Sequence, residues 1–300
     1  MMIEGCPVAG FDMKFRWQEE WVELFNKQVE LIQEDVARAR AEDRVIVYLS
    51  CPISSRGGGN HRTNVEIARH TERRLVTDWG HRFWILNPAQ YQMQSKEGTG
   101  LIQRHARTLG IGQEELDRRP EPTGGDYMRM WTRVLVEDGD EKKPRGRRFD
   151  AFYFLGPTDV RHFFSRGGAV TLTAGIEEYF ARKFSMDPDF RHEYSTAGID
   201  WGVSRRGEQT AARQSELKDR WEDARKSFFR FYAIRASVNF SLGSHDEWNI
   251  FRLLCRMRLA DSESQGMEGG NPGDLLAGYF DGRQIDPGAA FVDVSPGYAV

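Results

Sequence analysis

Residues 15–42, "FRWQEEWVELFNKQVELIQEDVARARAE", place Trp17, Trp21, Leu24, Phe25, Val29, Ile32 and Val36 at three- and four-residue spacing. That period predicts an amphipathic N-terminal helix whose apolar stripe must be buried, on the chain's own sheet or on a second subunit. The pattern then changes to short, nearly continuous apolar runs: "RVIVYLS" (44–50), "RFWIL" (82–86) and "FDAFYFL" (149–155). Such runs suit parallel strands covered on both faces. Between and after them, 61–78, 124–137 and 166–184 read as helices, with Asp126 near the N-cap of the second. The stretch 94–122 is polar, with two helical turns at most, and 138–148 reads as a solvated loop.

Strand alternating with helix predicts an α/β fold: a parallel, flavodoxin- or Rossmann-like sheet flanked by helices. Ligands of such sheets sit outside the carboxyl ends of the strands, so the loops after 50, 87 and 155 are expected to converge. Beyond 186 the alternation stops. Residues 207–235 form a second long helical pattern whose Trp221, Phe228, Phe229, Phe231 and Tyr232 read as core or subunit interface. Ser244 and Glu247 read as a capping box before another helix, and the Gly- and Pro-containing tail from 262 reads as irregular. The expected division is an N-terminal helix (1–43), an α/β domain (44–186) and a largely helical C-terminal extension (187–300).

Composition narrows the class. The 300 residues are 39% hydrophobic, enough for a sizeable core. A net charge of −3 from 42 basic and 45 acidic residues is a mixed surface. It gives no electrostatic reason to expect a nucleic-acid or membrane partner. Cys6, Cys51 and Cys255 are widely separated and show neither a disulfide framework nor zinc-ligand spacing, and the seven histidines show no metal spacing. With no long apolar run, the expectation is a soluble, cytoplasmic protein with no cofactor and no metal.

Two stretches carry candidate chemistry. In "YLSCPISSRGGGNHRTN" (48–64) the first strand runs into a Gly-rich loop. Arg56, Gly57, Gly58 and Gly59 could hold a phosphate through backbone N–H groups, line a sugar pocket, or form a plain turn. Ser50 and Asn87 each end a strand, where polar groups meet ligands or act as caps. In "TAGIEEYFA" (173–181), Glu177 and Glu178 fall in the first turns of a helix expected to start just beyond a strand. A helix N-terminus keeps a carboxylate ionised, as a nucleophile for a sugar's anomeric carbon requires, and acidic residues there also serve stability alone.

Taken in order, "YLSCPIS-SRGG", "NPA", "DYMRMW", "FDAFYFL" and "GIEEYFA" resemble landmarks of the nucleoside 2-deoxyribosyltransferase-like superfamily. The likeness is nearest to its deoxynucleoside 5′-monophosphate N-glycosidase branch and covers roughly 44–184. The resemblance implies a glutamate that attacks the anomeric carbon and displaces the base, leaving a glycosyl-enzyme that water or a second base resolves. The register Gly175-x-Glu177-x-x-x-Ala181 selects Glu177 for that role. It also implies that Tyr48 and Ser50 hold sugar or orient the carboxylate, and that Ile53, Arg56, Gly57, Gly58 and Thr173 receive a 5′-phosphate. Gly175 and Asn87 border the site, and Asp126 and Tyr127 assist from the third helix. The family often has an acid on that helix eight residues before the Asp of the next strand. An inserted loop breaks the count here, Trp131 occupies the place by helix register, and Asp126 stands in.

The expected activity is therefore cleavage or exchange of an N-glycosidic bond in a nucleoside or nucleoside 5′-monophosphate, with that small molecule as partner. A homodimer is expected from the family's habit of building sites at subunit interfaces. Two alternatives remain: a glycohydrolase of NAD or another ribosyl cofactor, and a non-catalytic nucleotide-sensing module.

Overall fold

A computed structural model describes residues 1–53, 59–93, 96–138, 146–194, 211–237, 242–264, 276–285 and 297–300. The chain divides into two compact units, one of residues 1–52, 72–154 and 240–300 and one of residues 53–71 and 155–239. Residues on both sides of the 43/44 and 186/187 divisions thus share a unit.

In chain order the elements are β1 (Met2–Gly5), β2 (Phe15–Gln18), α1 (Val22–Ala41), β3 (Val45–Ser50), α2 (His61–Trp79), β4 (Phe83–Leu86), α3 (Lys96–Leu109), α4 (Gln113–Asp117) and α5 (Gly124–Val136). They continue with β5 (Ala151–Phe154), α6 (Pro157–Ser165), α7 (Leu172–Met186), α8 (Pro188–Glu193), α9 (Ala211–Arg235), α10 (Leu242–Ser264), β6 (Ala277–Phe280) and β7 (Arg283–Gln284).

The first unit holds a five-stranded sheet in the order β4-β3-β5-β6-β7. The first four strands are parallel, and β7 turns back antiparallel on β6. The protein is therefore α/β, with a mostly parallel sheet flanked by helices. Strand alternation assigns the faces. Ile46, Tyr48, Leu86, Phe152 and Phe154 join the core with residues of α1, α5 and α10. On the other face Trp79, at the end of α2, packs against Tyr153 (5.8 Å between ring centroids) and Tyr279 (5.1 Å). Coverage on both faces is the physical reason the three strands read as unbroken apolar runs.

Several elements depart from expectation. Residues 15–18 pair with β1 in an antiparallel hairpin, and the helix begins only at Val22. Trp17 and Trp21 are buried all the same, so their helical spacing coincided with strand alternation followed by a short turn. The α1 stripe, Leu24, Phe25, Val29, Ile32 and Val36, is buried among residues of α5 and β3. It is not a surface left over for a second subunit. The polar stretch after Met93 forms the 14-residue α3, whose Ala106 belongs to the core. The tail expected to be irregular contributes β6 and β7 to the sheet. The capping box read at Ser244 and Glu247 is not one, because α10 already runs from Leu242 and both residues lie inside it.

The second unit contains α6 to α9 and the start of α2, around an aromatic core. Tyr179 of α7 stacks on Phe228 of α9 (5.9 Å, 14°), and Phe228 meets Tyr232 at 4.4 Å. The α9 stripe is thus core at Phe228 and Tyr232, both fully buried. A helix not foreseen, α6, stands between β5 and α7.

Candidate active site

Within the first unit, β5 ends at Phe154, the chain leaves for the second unit, and it returns at residue 240 to form α10 and then β6. In that unit α10 is accordingly the helix connecting parallel strands β5 and β6. Its Trp248 packs on Phe154 (5.0 Å) and its Phe251 on Phe152 (5.6 Å), so the helix lies over the Tyr48 face of the sheet.

Period-two alternation puts Tyr48 and Ser50 on the same face at the carboxyl end of β3, and both are buried. Their hydroxyls point at one carboxylate. Tyr48 Oη donates to Glu247 Oε1 at 2.6 Å, and Ser50 Oγ donates to Glu247 Oε2. Rings of Trp131 (5.7 Å), Phe149 (6.2 Å) and Phe152 (5.2 Å) surround the Tyr48 ring and fix its direction.

Glu247 is only 5% exposed. Burial pushes its carboxyl up from 4.5 to about 7; the hydroxyls of Ser50 and Tyr48 pull it down, and the neighbouring Asp246 charge pushes it up. Burial, and then the Glu247 carboxylate, drive the Tyr48 phenol far above its usual range, so it stays a donor. Among the described residues, no cation is among the influences on this buried carboxylate; two neutral donors hold it, and burial raises its carboxyl towards neutrality. Such a group is suited to nucleophilic or acid–base work, and a purely structural role would not require its desolvation.

The other sequence candidates fall as follows. Asn87, fully buried, caps the turn 88–90 by accepting from Ala89 N–H (2.9 Å), donates to Glu72 Oε2 (2.8 Å) and accepts from Cys51 Sγ (3.8 Å). Cys51, the residue after β3, and Asn87, the residue after β4, therefore meet. Asp126 serves as a structural cap: Oδ2 accepts from Thr123 N–H (2.7 Å) and Oγ1 (2.6 Å), while Oδ1 accepts from Gln18 N–H (2.7 Å). Tyr127 packs edge-on against Phe25 at 5.1 Å. Trp131 packs against the Tyr48 ring.

The remaining candidates belong to the second unit. Ile53 offers its carbonyl to Asn64 Nδ2 (3.3 Å). Arg56, Gly57 and Gly58 lie outside the described residues. Thr173 is exposed in the first turn of α7, whose N-cap is Thr171, accepting from Ala174 N–H at 3.2 Å. Gly175 is a packing glycine, since a Cβ there would stand 2.2 Å from the Phe164 carbonyl oxygen. Glu177 is in the second turn of α7, a helix that follows α6 rather than a strand. Its Oε1 accepts from Arg225 Nη1 at 2.7 Å, and its side chain is 42% exposed. Glu178 is exposed.

The residue that sequence reasoning missed is Glu247. Its signal was on the page as "GSHDEW", but the Ser-x-x-Glu spacing also fits a helix cap, and the excursion from 155 to 239 separates it from β5. Among the described residues no group of three or more His, Cys, Asp or Glu side chains could hold a metal ion, and no helix is long and apolar enough to cross a membrane. Comparison with protein-family models, curated proteins and solved structures gives no match.

Proposed function

We propose that this chain cleaves or exchanges the N-glycosidic bond of a nucleoside or nucleoside 5′-monophosphate, with Glu247 rather than Glu177 as the nucleophile. One observation carries the reading: the Glu247 carboxylate, buried at the carboxyl end of β3 between the hydroxyls of Tyr48 and Ser50. The resemblance of the first-strand loop implies that Tyr48 and Ser50 hold sugar or orient the catalytic carboxylate; their hydrogen bonds to Glu247 support the second role, with Glu247 as that carboxylate.

Strand order adds support for a flavodoxin-like sheet. Numbering the parallel strands β3, β4, β5 and β6 as one to four, their spatial order is 2-1-3-4. The order reverses between β3 and β5, and a crevice outside the strand ends at such a switch point is where doubly wound sheets bind ligands. Tyr48 and Ser50 belong to one of those two strands.

In the proposed reaction an ionised Glu247 oxygen attacks C1′ of the sugar. The C1′–N bond breaks, its electron pair leaves with the base, and the base takes up a proton from solvent. Water or a second base then attacks C1′ of the glycosyl ester and gives up its proton to solvent, and the Glu247 carboxylate departs with its electron pair. Two displacements at one centre retain configuration. The Tyr48 and Ser50 hydroxyls stabilise the charged carboxylate before attack and after release, and hold it in one orientation.

The test is incubation of the purified chain with deoxynucleosides, their 5′-monophosphates and NAD, resolved by chromatography. Free base from a nucleoside or nucleotide, absent with Glu247→Gln, is the expected result. Release of nicotinamide alone would move the assignment to a ribosyl-cofactor glycohydrolase. Tight binding without turnover, indifferent to Glu247→Gln, would make the protein a sensing module.

A further inference from the structure

Asp246 precedes Glu247 on α10 and is fully buried, yet no role in the reaction falls to it. One helical step turns its side chain by about 100° from that of Glu247, towards residues 297–300. There Asp246 Oδ1 accepts from the N–H groups of Gly297 (2.8 Å) and Ala299 (3.2 Å), and Oδ2 from that of Tyr298 (2.6 Å). Three consecutive backbone donors converge on one carboxylate, an anion-holding nest made from the chain itself.

The other edge of that segment is fixed as well. Ala299 pairs antiparallel with Phe15 of β2, and Val300 N–H donates to the Lys14 carbonyl at 2.9 Å. β2 is held in turn to the start of α5 through Gln18 and Asp126. Gly125 lets this approach happen, since a Cβ there would lie 1.8 Å from the Arg16 carbonyl oxygen. A continuous run of hydrogen bonds therefore leads from α5 through β2 and residues 297–300 to the residue beside Glu247.

We propose that residues 297–300 are a strap that, through Asp246, positions the Glu247 carboxylate between Tyr48 and Ser50. Asp246 is then a positioning residue for the reaction proposed above, and the inference rests on that reading. A less costly tether was open to the fold. Apolar packing would anchor α10 without burying a second carboxylate beside the first, where like charges oppose ionisation. What the nest adds is direction: a displacement of about 1 Å at a reacting group costs on the order of 100-fold in rate. Among the described residues, the titratable groups acting on Glu247 are the neutral Tyr48 phenol from β3 and the Asp246 carboxyl from its own helix, and His245 acts on Asp246.

Two full-length variants test this. Asp246→Asn keeps the shape but turns one acceptor into a donor facing N–H groups. Ala299→Pro removes one donor and leaves the Asp246 charge. With folding checked by near-ultraviolet circular dichroism, Asp246→Asn is expected to lower kcat by about 10- to 100-fold, with KM changed by less than about threefold. The acid limb of its kcat profile should move about half a pH unit to one unit acidward, as removal of a like charge requires. Ala299→Pro should lower kcat by a smaller factor without moving that limb. A readout independent of turnover is the Glu247 carboxylate stretching band, obtained as the infrared difference between wild type and Glu247→Gln. It reports the two hydroxyl bonds and should shift in both variants. If no nucleoside is turned over by the wild type, the functional reading fails while the band still decides the strap. An unmoved band in folded Ala299→Pro, or kcat and band both unchanged in folded Asp246→Asn, overturns it.

Discussion

Tyr48 and Glu247 are 199 residues apart in sequence and joined by a 2.6 Å hydrogen bond in the core of the first unit. The bond ties the end of a central parallel strand to the helix that connects the next two. Ser50, two residues along the same strand face, holds the other oxygen. Neighbouring elements support this arrangement through packing: α5 supplies Trp131 against the Tyr48 ring, and β5 supplies Phe152 and Phe154 as the bed for α10.

Removing the phenol oxygen should expose the strength of that bond. A hydrogen bond to an ionised group contributes about 1.5–3 kcal/mol. Tyr48→Phe is therefore expected to lower kcat/KM for base release by about 10- to 100-fold. The Tyr48 bond also pulls the Glu247 carboxyl downward. Its loss raises the pH at which the nucleophile ionises, so the acid limb of the rate profile should move alkaline. Steady-state rates between pH 5 and 9 check both effects.

The same carboxyl makes folding depend on pH. Unfolded, Glu247 titrates near its ordinary 4.5; folded, burial raises it to about 7. Below the lower value both states hold the proton and the group is without effect. Between the two, the unfolded chain loses its proton while the native state keeps it, so stability falls as pH rises; above about 7 the loss is complete. A shift of this size corresponds to about 3 kcal/mol. Glu247→Gln removes the dependence. Denaturant unfolding at pH 4 and pH 8 should show the variant gaining on the wild type by up to about 3 kcal/mol at the higher pH, and a constant difference would refute the buried, proton-sharing state.

Two residues first considered for the site should prove to be stability residues. Asp126 satisfies the first turn of α5 and a buried N–H of Gln18. Asp126→Ala is expected to cost about 2–3 kcal/mol. Gly175→Ala forces a Cβ to within 2.2 Å of the Phe164 carbonyl, with a cost of about 1–3 kcal/mol as α7 and α6 separate. Chemical denaturation measures each. In the fraction that remains folded, Asp126→Ala should release base at a rate within about threefold of wild type.

The pattern of apolar runs located the sheet, because β3, β4 and β5 are covered on both faces and advertise it in composition alone. It located α1, α2 and α5 for the corresponding reason, a single buried stripe each. It did not locate β6, which is four residues long, Ala-Gly-Tyr-Phe, and contains too little apolar signal to stand out from a Gly-rich tail. Ser50 was readable as a strand-end polar group, and Tyr48 entered only through the resemblance. Their partner was not, because the residues from 155 to 239 fold as part of another unit and carry a second helix with paired glutamates. Glu177 fitted the local pattern of a catalytic helix, whereas its actual setting is an ion pair with Arg225. Local spacing could not distinguish two helices that both follow β5 in sequence when only the second belongs to the unit that holds the sheet.

The central claim is that Glu247, and not Glu177, attacks the sugar. Single-turnover base release by Glu247→Gln and Glu177→Gln, measured side by side on folded protein, tests it most directly. The account predicts a loss of about 1,000-fold or more for Glu247→Gln and a rate within about twofold of wild type for Glu177→Gln. Wild-type turnover by Glu247→Gln, or its abolition in Glu177→Gln alone, would contradict it.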